Sequence, residues 1–540
     1  MQKLVLLGDE AIAQAAIDAG ISGAYAYPGT PSTEITEYVH QSKEAKNGEL
    51  FVSWTANEKT SVEAALGMSY AGKRALVSMK HVGLNVAADA FVNSAITGVN
   101  GGLVVVAADD PSMHSSQNEQ DSRFYGKFSF IPVLEPVNQQ EAYDMTRFAF
   151  EMSEKYKIPV LIRITTRLAH SRAGVEVKEK QAQNELKLPE NKTQFVLLPS
   201  IARKQYKELL AKQDDLENEA KTSGFNKYFE GSDKSLGILT TGIAYNYLME
   251  NFQEKELNHP CLKIAQYPIP VEMVDKLYSE VDEILVLEEG FPFVEEQIKG
   301  LLNKGKVVHG RLDGTLPRDG ELNPNLVAKA LTGITSEVME MPKVVANRPP
   351  ALCPGCPHTD SYEALNEVLE SYGAGRVFSD IGCYTLAALK PLEAINSCVD
   401  MGASITMAKG ASDAGMHPSV AVIGDSTFTH SGMTGLLDAV KDKTPITVLI
   451  LDNFTTGMTG GQDSAALGRI EDICHGIGVE KEHLHILNPI KKHHEENMEI
   501  IRKELEYKGV SVIVPRRECI VTLKAKLSAK KKQKAKESKA

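Results

Sequence analysis

The nine residues SVAVIGDST, Ser419 to Thr427, decide how this chain is read. They spell a buried β-strand that ends on Gly-Asp. The helical pattern GMTGLLDAVKDK follows, then a second apolar strand, TPITVLILDN. Asp425 and Asn453 therefore stand at the carboxyl ends of two strands joined by one helix, 28 positions apart. Ligands of open parallel sheets bind at that edge. Asp425 offers a carboxylate oxygen and Asn453 an amide oxygen. The turn beyond offers a backbone carbonyl, Thr455. Such an all-oxygen set suits Mg2+ holding a diphosphate. Gly424 lets the backbone come close, and Ser426 sits next to the acid. A lone Gly-Asp ends many strands; the weight rests on the pair, the flanking strands and the TTGMTGGQ that follows.

Outward from this unit, apolar β-rich runs alternate with helical patterns, the mark of α/β architecture with helices covering parallel sheets. Three blocks are expected. Residues 1–190 hold the turn YPGTPSTEI (Tyr27 to Ile35), a helix from about Glu58, and the strands RALVSM, GGLVVVAA and KIPVLIRITTRLAH. Gly20, Gly23 and Gly29 do not form a dinucleotide fingerprint. Residues 191–340 begin with a polar connector, whose AKQDDLENEAKTSG piece reads as a helix end and loop, and continue as a smaller α/β domain. After the proline-bearing MPKVVANRPP, residues 345–520 form the third block, and 521–540 are expected to be a disordered lysine-rich tail.

The 540 residues are 42% hydrophobic and 24% charged, an ordinary globular balance. A net charge of −12 argues against nucleic acid or anionic membranes as partners. The N-terminal MQKLVLLGDEAIAQAAIDAG lacks the layout of a secretory signal, and no run is long and apolar enough to span a bilayer. Seven cysteines, odd and sparse, fit a reducing cytoplasm rather than a disulfide framework. Eight lysines crowd the last 17 residues, as a solvated tail or a docking arm for an acidic partner such as a ferredoxin.

Gly-Asp followed by Asn at this interval is a thiamine diphosphate signature. That cofactor needs a glutamate to hydrogen-bond its aminopyrimidine ring, supplied by a separate α/β domain. The candidates are Glu58, where FVSWTA gives way to a helix, and Glu63, over a turn further on; either also suits a helix start. Spacing alone does not choose.

LCPGCPHT, Leu352 to Thr359, raises a second question, since Cys-x-x-Cys suggests zinc, an iron–sulfur cluster or a redox dithiol. No second such pair exists, although Cys383 and Cys398 could complete a set. The favoured reading is a tight Pro-Gly turn, with His358 facing the cofactor and Cys356 close to its rings.

Taken together, YPGTPSTEI, NEKTSVEAALG, MKHVGLNVAAD, SSQNEQDSRFYGKF, LCPGCPHT, DIGCYTL, MGASITMAKG, IGDSTFTHSG and LDNFTTGMTGGQ resemble the alpha subunits of indolepyruvate:ferredoxin oxidoreductases. The resemblance covers roughly residues 1–520. It implies two thiamine diphosphate-binding folds, of pyrimidine and diphosphate type, with a transketolase C-terminal-like domain between. It implies that Glu58 is the activating glutamate and that Asp425, Asn453 and the Thr455 carbonyl bind the metal. Thr30 would face substrate. Gly382 and Cys383 of DIGC, and Gly402, Ala403 and Ser404 of MGAS, would line the cofactor.

The implied reaction is oxidative decarboxylation of a 2-oxoacid, with electrons leaving singly to ferredoxin or another cluster-carrying protein and coenzyme A taking the acyl group. A small beta subunit and an oligomer are implied too. Pyruvate enzymes of the superfamily carry an arginine after the strand matching GGLVVVAA; here the place reads Asp109-Asp110-Pro111. That favours an arylpyruvate and leaves Arg123 or His81 as the cation for its carboxylate. The ferredoxin-like module of relatives, with its C-x₂-C-x₂-C-x₃-C-P runs, is not found after RREC (Arg516 to Cys519), and no iron–sulfur cluster is expected in this chain. Alternatives to the oxidoreductase are a non-oxidative decarboxylase releasing an aldehyde and a non-catalytic scaffold.

Overall fold

The computed structural model describes residues 2–189, 191, 193–252, 256–301, 305–333, 342, 344–345 and 351–537, the last six of these as backbone only. The chain divides into two compact units, Met1–Glu340 and Met341–Ala540. Residue 190 and most of MPKVVANRPP lie outside the described residues.

The first unit is built on a seven-stranded sheet. Its order is Gln266–Tyr267, Val133–Leu134, Val160–Thr165, Leu103–Asp109, Ala75–Lys80, Gly23–Ala26, Phe51–Trp54. Every pairing is parallel except that of Gln266–Tyr267. Leu103 to Ala108 are fully buried, as a strand covered on both faces must be, and this is why it reads as an unbroken apolar run. A second sheet orders Val308–His309, Glu283–Leu287, Leu236–Thr241, Cys261–Ile264 and Lys227–Phe229, parallel but for the last. One continuous core serves both.

The N-terminal strand Gln2–Leu7 stays out of the parallel sheet and pairs antiparallel with Arg172–Val177. One local expectation changes. The polar QDDLENEAKT piece is helix (Gln213–Thr222), anchored by buried Leu216 and Ala220; two apolar contacts four apart suffice to hold one face.

The second unit is a six-stranded, wholly parallel sheet: Ser397–Cys398, Val377–Ser379, Val420–Gly424, Ile446–Leu451, Val510–Pro515, Leu484–Leu487. Val420, Val422, Leu449, Leu451 and Ile513 pack on one face; Ala421, Ile423, Val448, Ile450, Val512 and Val514 pack on the other. This is the period-two alternation of a doubly covered sheet. From Val377–Ser379 the chain runs outward to Ser397–Cys398, then returns to Val420–Gly424 on the opposite side. The crevice between Val377–Ser379 and Val420–Gly424 is thus the topological switch point, where such sheets bind ligands.

The lysine-rich end is helical over Ile520–Glu537 rather than disordered. Its Ala, Lys, Leu, Gln and Glu are strong helix formers, and no Gly or Pro interrupts them. No described helix is long and apolar enough to cross a membrane.

Candidate functional site

In the second unit, the strand Val420–Gly424 passes without a loop into helix, so Asp425 is both the first residue past the strand and the first of the helix. The helix continues to Asp442 through one π-helical turn, Phe428–Gly432. Asp425 is 3% exposed, and its Oδ2 makes no hydrogen bond. Burial, then the neighbouring Asp452, pushes its carboxyl up to about 7. A carboxylate oxygen buried without a partner is costly, and a cation beside it would remove that cost. The oxygen-only donors around it fit Mg2+.

Asn453 follows the adjacent strand and is buried. Its Oδ1 accepts from the Thr455 amide at 3.1 Å, and its Nδ2 donates to His358 Nε2 at 3.2 Å. Burial, then Arg517, pushes His358 down to about 4, so the imidazole is neutral and accepts this bond. Between them Phe454 adopts φ +66°, an uncommon left-handed conformation for a bulky residue. Thr455–Thr456 then pairs antiparallel with Gln462–Asp463, and Thr456 Oγ1 reaches Ser426 Oγ at 3.0 Å. The structure thus brings together Asp425, Ser426, Asn453, Thr455 and His358.

The DIGC and MGAS segments meet through a residue the sequence did not single out. Asp380 is fully buried and accepts from Ser404 Oγ at 2.6 Å and from the Tyr384 hydroxyl. Burial pushes its carboxyl up to about 7, which those donors partly offset. The Tyr384 ring also explains two glycines. A Cβ on Gly424 would lie 2.6 Å from it, and one on Gly382 only 2.3 Å. Gly402 has φ +94° and leads into the helix Ala403–Asp413.

In the first unit, Glu58 opens the helix Glu58–Tyr70, capped by Asn57 Oδ1 on the Thr60 amide at 2.9 Å. Glu58 is buried against the first turn of a second helix, His81–Thr97: a Cβ on Gly83 would fall 2.6 Å from Glu58 Oε1. Glu63 instead faces solvent and pairs with Lys59 at 3.3 Å. The rivalry that spacing left open is separated by burial.

Neither expected substrate cation is available. Arg123 is fully buried and spends its guanidinium inside the protein. It donates to Asp121 at 2.9 Å, to Glu288 and the Phe291 carbonyl at 3.0 Å, and to Thr241 at 3.2 Å. No donor is left for a ligand. His81 is buried with Nε2 on the Asn118 carbonyl at 3.2 Å, and burial lowers its pKa, leaving a neutral ring. Thr30 lies half-buried at the turn before Thr33–Gln41, and its carbonyl accepts from Ser115 Oγ at 3.1 Å. Beside it stands Lys80, passed over in the sequence because a strand-end lysine usually faces water.

The comparisons agree with this layout. Residues 14–219 match the family model described as pyruvate flavodoxin/ferredoxin oxidoreductase, thiamine diphosphate-binding. Residues 380–514 match that of the thiamine pyrophosphate enzyme C-terminal TPP-binding domain. The indolepyruvate oxidoreductase subunit IorA of Archaeoglobus fulgidus is 39% identical over 96% of this chain and 87% of its own. That of Thermococcus kodakarensis is 37% identical over 96% and 86%. This chain belongs to the IorA family of indolepyruvate oxidoreductase subunits. As a member it is an enzyme subunit. Among solved structures, a 2-oxoglutarate:ferredoxin oxidoreductase from Magnetococcus marinus shares the fold, with a TM-score of 0.50 and 16% identity over 61% of this chain and 65% of that one.

Four of the seven cysteines of this IorA-family chain, Cys353, Cys356, Cys383 and Cys519, belong to the second unit's loops and turns. Cys353 and Cys356 close a tight turn, with the Cys356 amide on the Cys353 carbonyl at 2.9 Å and Gly355 at φ +81°. Burial above all, then Cys356, Cys519 and Cys353, push the Cys383 thiol up to about 12. Cys356 is raised by burial and by Cys353 and Cys519. Cys519 arrives from the far end of the unit, its amide on the Asn453 carbonyl at 3.2 Å. Cys398, the fourth member weighed from sequence, instead turns to the Asp380 carbonyl at 3.7 Å. Four cysteine thiolates are the ligand set of a [4Fe–4S] cluster.

Proposed function

We propose that this chain is the thiamine diphosphate-binding subunit of an oxidoreductase that converts an arylpyruvate-type 2-oxoacid and coenzyme A to the acyl-CoA, CO₂, a proton and two electrons. The electrons pass to ferredoxin or a cluster-carrying partner, and a small second subunit completes an oligomer. The observation that carries this reading is Asp425 Oδ2, a buried carboxylate oxygen without a hydrogen-bond partner at the sheet's switch point. The names of the relatives support indolepyruvate as the substrate type.

When bound, thiamine diphosphate supplies an electron sink for the carbanion that decarboxylation creates. Asp425, Asn453 and the Thr455 carbonyl would hold Mg2+ on the diphosphate, and His358 keeps Asn453 oriented. Gly382, Gly402, Ala403 and Ser404 are assigned to the cofactor's surroundings. Glu58 is assigned the activating carboxylate, holding a proton at Oε. Its burial keeps water from competing for that hydrogen bond. Thr30 is assigned to the substrate side. Contrary to the expectation of no cluster in this chain, Cys353, Cys356, Cys383 and Cys519 would hold an iron–sulfur cluster, whose chemistry is to take single electrons. Such a cluster would serve oxidation, whereas simple decarboxylation needs no electron acceptor.

The test is anaerobic assay of the chain with its small partner. Reduction of a viologen dye should require both indolepyruvate or phenylpyruvate and coenzyme A. Aldehyde released without any acceptor would establish the decarboxylase instead, and no turnover with any 2-oxoacid would leave a scaffold.

A further inference from the structure

The substrate's carboxylate needs a cation, and both candidates drawn from sequence are occupied or neutral. Lys80 is different. It ends the strand Ala75–Lys80 and caps the helix His81–Thr97, whose first turn packs against Glu58. The carboxyl ends of Gly23–Ala26, Phe51–Trp54 and Ala75–Lys80, adjacent in the sheet, thus lead to Thr30, Glu58 and Lys80 in turn.

The Lys80 side chain leans toward the Thr30 turn. A Cβ on Gly29 would lie 3.2 Å from Lys80 Cβ. Its ammonium donates to the Ser115 carbonyl at 2.6 Å and reaches Ser115 Oγ at 3.4 Å. The same Ser115 hydroxyl donates to the Thr30 carbonyl at 3.1 Å. Lysine, Ser115 and Thr30 form one local group.

Lys80 makes no ion pair within 4.0 Å among the described residues. The nearest acid in charge terms is Asp110, which reaches it through Ser115: Asp110 Oδ2 accepts from the Ser115 amide at 2.8 Å and from Ser116 Oγ at 2.5 Å. That carboxylate is already satisfied by hydroxyl and amide donors. A half-buried ammonium with spare N–H donors and no direct counter-ion is a prepared anion site. Burial lowers its pKa to about 8, with Asp110 partly offsetting this; it is charged at neutral pH.

We propose that Lys80 receives the carboxylate of the 2-oxoacid substrate, an assignment that rests on the function proposed above. As a compact point charge it grips the small anion without selecting the group on the other side of the ketone. Bulk selectivity would then be left to the pocket, as an aryl substrate requires.

The test uses the complete complex with thiamine diphosphate and Mg2+, comparing wild type, Lys80→Met and Lys80→Arg. Phenylpyruvate and indolepyruvate turnover gives KM and kcat. Calorimetry gives binding of indole-3-lactate and of its neutral amide. In Lys80→Met, KM should rise roughly 10- to 100-fold with kcat within a few-fold. Indole-3-lactate binding should fall in parallel and amide binding stay unchanged. Lys80→Arg should recover most of the loss, which also guards against misfolding of the first variant. A KM unchanged within twofold in Lys80→Met, or equal loss of acid and amide, would overturn the assignment while leaving the function intact. A wild type without turnover, yet binding acid over amide through Lys80, would sink the function and keep the assignment.

Discussion

The amide of Asn453 donates to the neutral Nε2 of His358 across 3.2 Å, both side chains being buried. The histidine of CPGCPHT would therefore act on the cofactor site at second hand, by fixing the side chain assigned to the proposed metal. His358→Leu should weaken Mg2+-dependent binding of thiamine diphosphate about 10- to 100-fold. The check is titration of the apo protein followed by fluorescence or calorimetry.

Asp425→Asn should abolish the metal-dependent rise in thermal midpoint that the cofactor gives the wild type. The apo protein should melt at or above the wild-type temperature, because the variant removes a desolvated carboxylate. Scanning fluorimetry with and without cofactor and Mg2+ measures both. A variant that still gains stability from the pair would displace Asp425 from the site.

Glu58→Gln should leave the fold unchanged and lower turnover by about 10²- to 10⁴-fold, with cofactor still bound. Glu63→Gln, on the exposed side of the same helix, should leave turnover within experimental error.

Cys519→Ser should lower the iron content of anaerobically reconstituted protein from about four irons per chain. Dye reduction should fall with it. Cys398→Ser should do neither. Iron assay and the visible spectrum decide.

Glu289 is a buried acid in the first unit, its two side-chain oxygens without hydrogen-bond partners. Burial, then Glu321, pushes its carboxyl from the ordinary 4.5 up to about 7. A raised folded value means that the unfolded chain gives up this proton first. Its contribution to stability is full below about pH 4.5 and is lost as pH rises through about 7. The limiting slope is about 1.4 kcal/mol per pH unit. Glu289→Gln should flatten that slope in chemical denaturation series between pH 5 and 7. Arg123→Met should cost about 3–5 kcal/mol by stranding Asp121 and Glu288.

What the sequence made legible depended on reach. Asp425 and Asn453 stand at the ends of consecutive parallel strands, so hydrophobic pattern and spacing place both. Glu58 needed one further fact, which helix face is inside. Arg123 could not be read, because Glu288 lies 165 positions away and only the fold reveals that the guanidinium is spent. The same holds for the thiols. Cys519 comes to the Asn453 turn because the strand Val510–Pro515 runs beside Ile446–Leu451, and no local spacing rule contains that pairing. Lys80 escaped for a different reason: its neighbours Ser115 and Asp110 come from a loop with no periodicity to mark it.

Arg516 holds Asp452 at 2.6 Å, Arg517 holds the Gly355 carbonyl at 2.6 Å and Asp360 at 2.6 Å, and the Cys519 amide holds the Asn453 carbonyl. Three positions within Arg516–Cys519 thus fasten the thiol turn and the Asn453 turn to each other. Chains are made from the other end, and their domains fold as they emerge. The first unit can settle early, but the cofactor cradle stays unbuckled until this segment has left the ribosome. Loading of the proposed metal and cofactor would in that sense wait for this segment, and a truncation just short of Arg516 should yield a folded first unit and a second unit that cannot be charged.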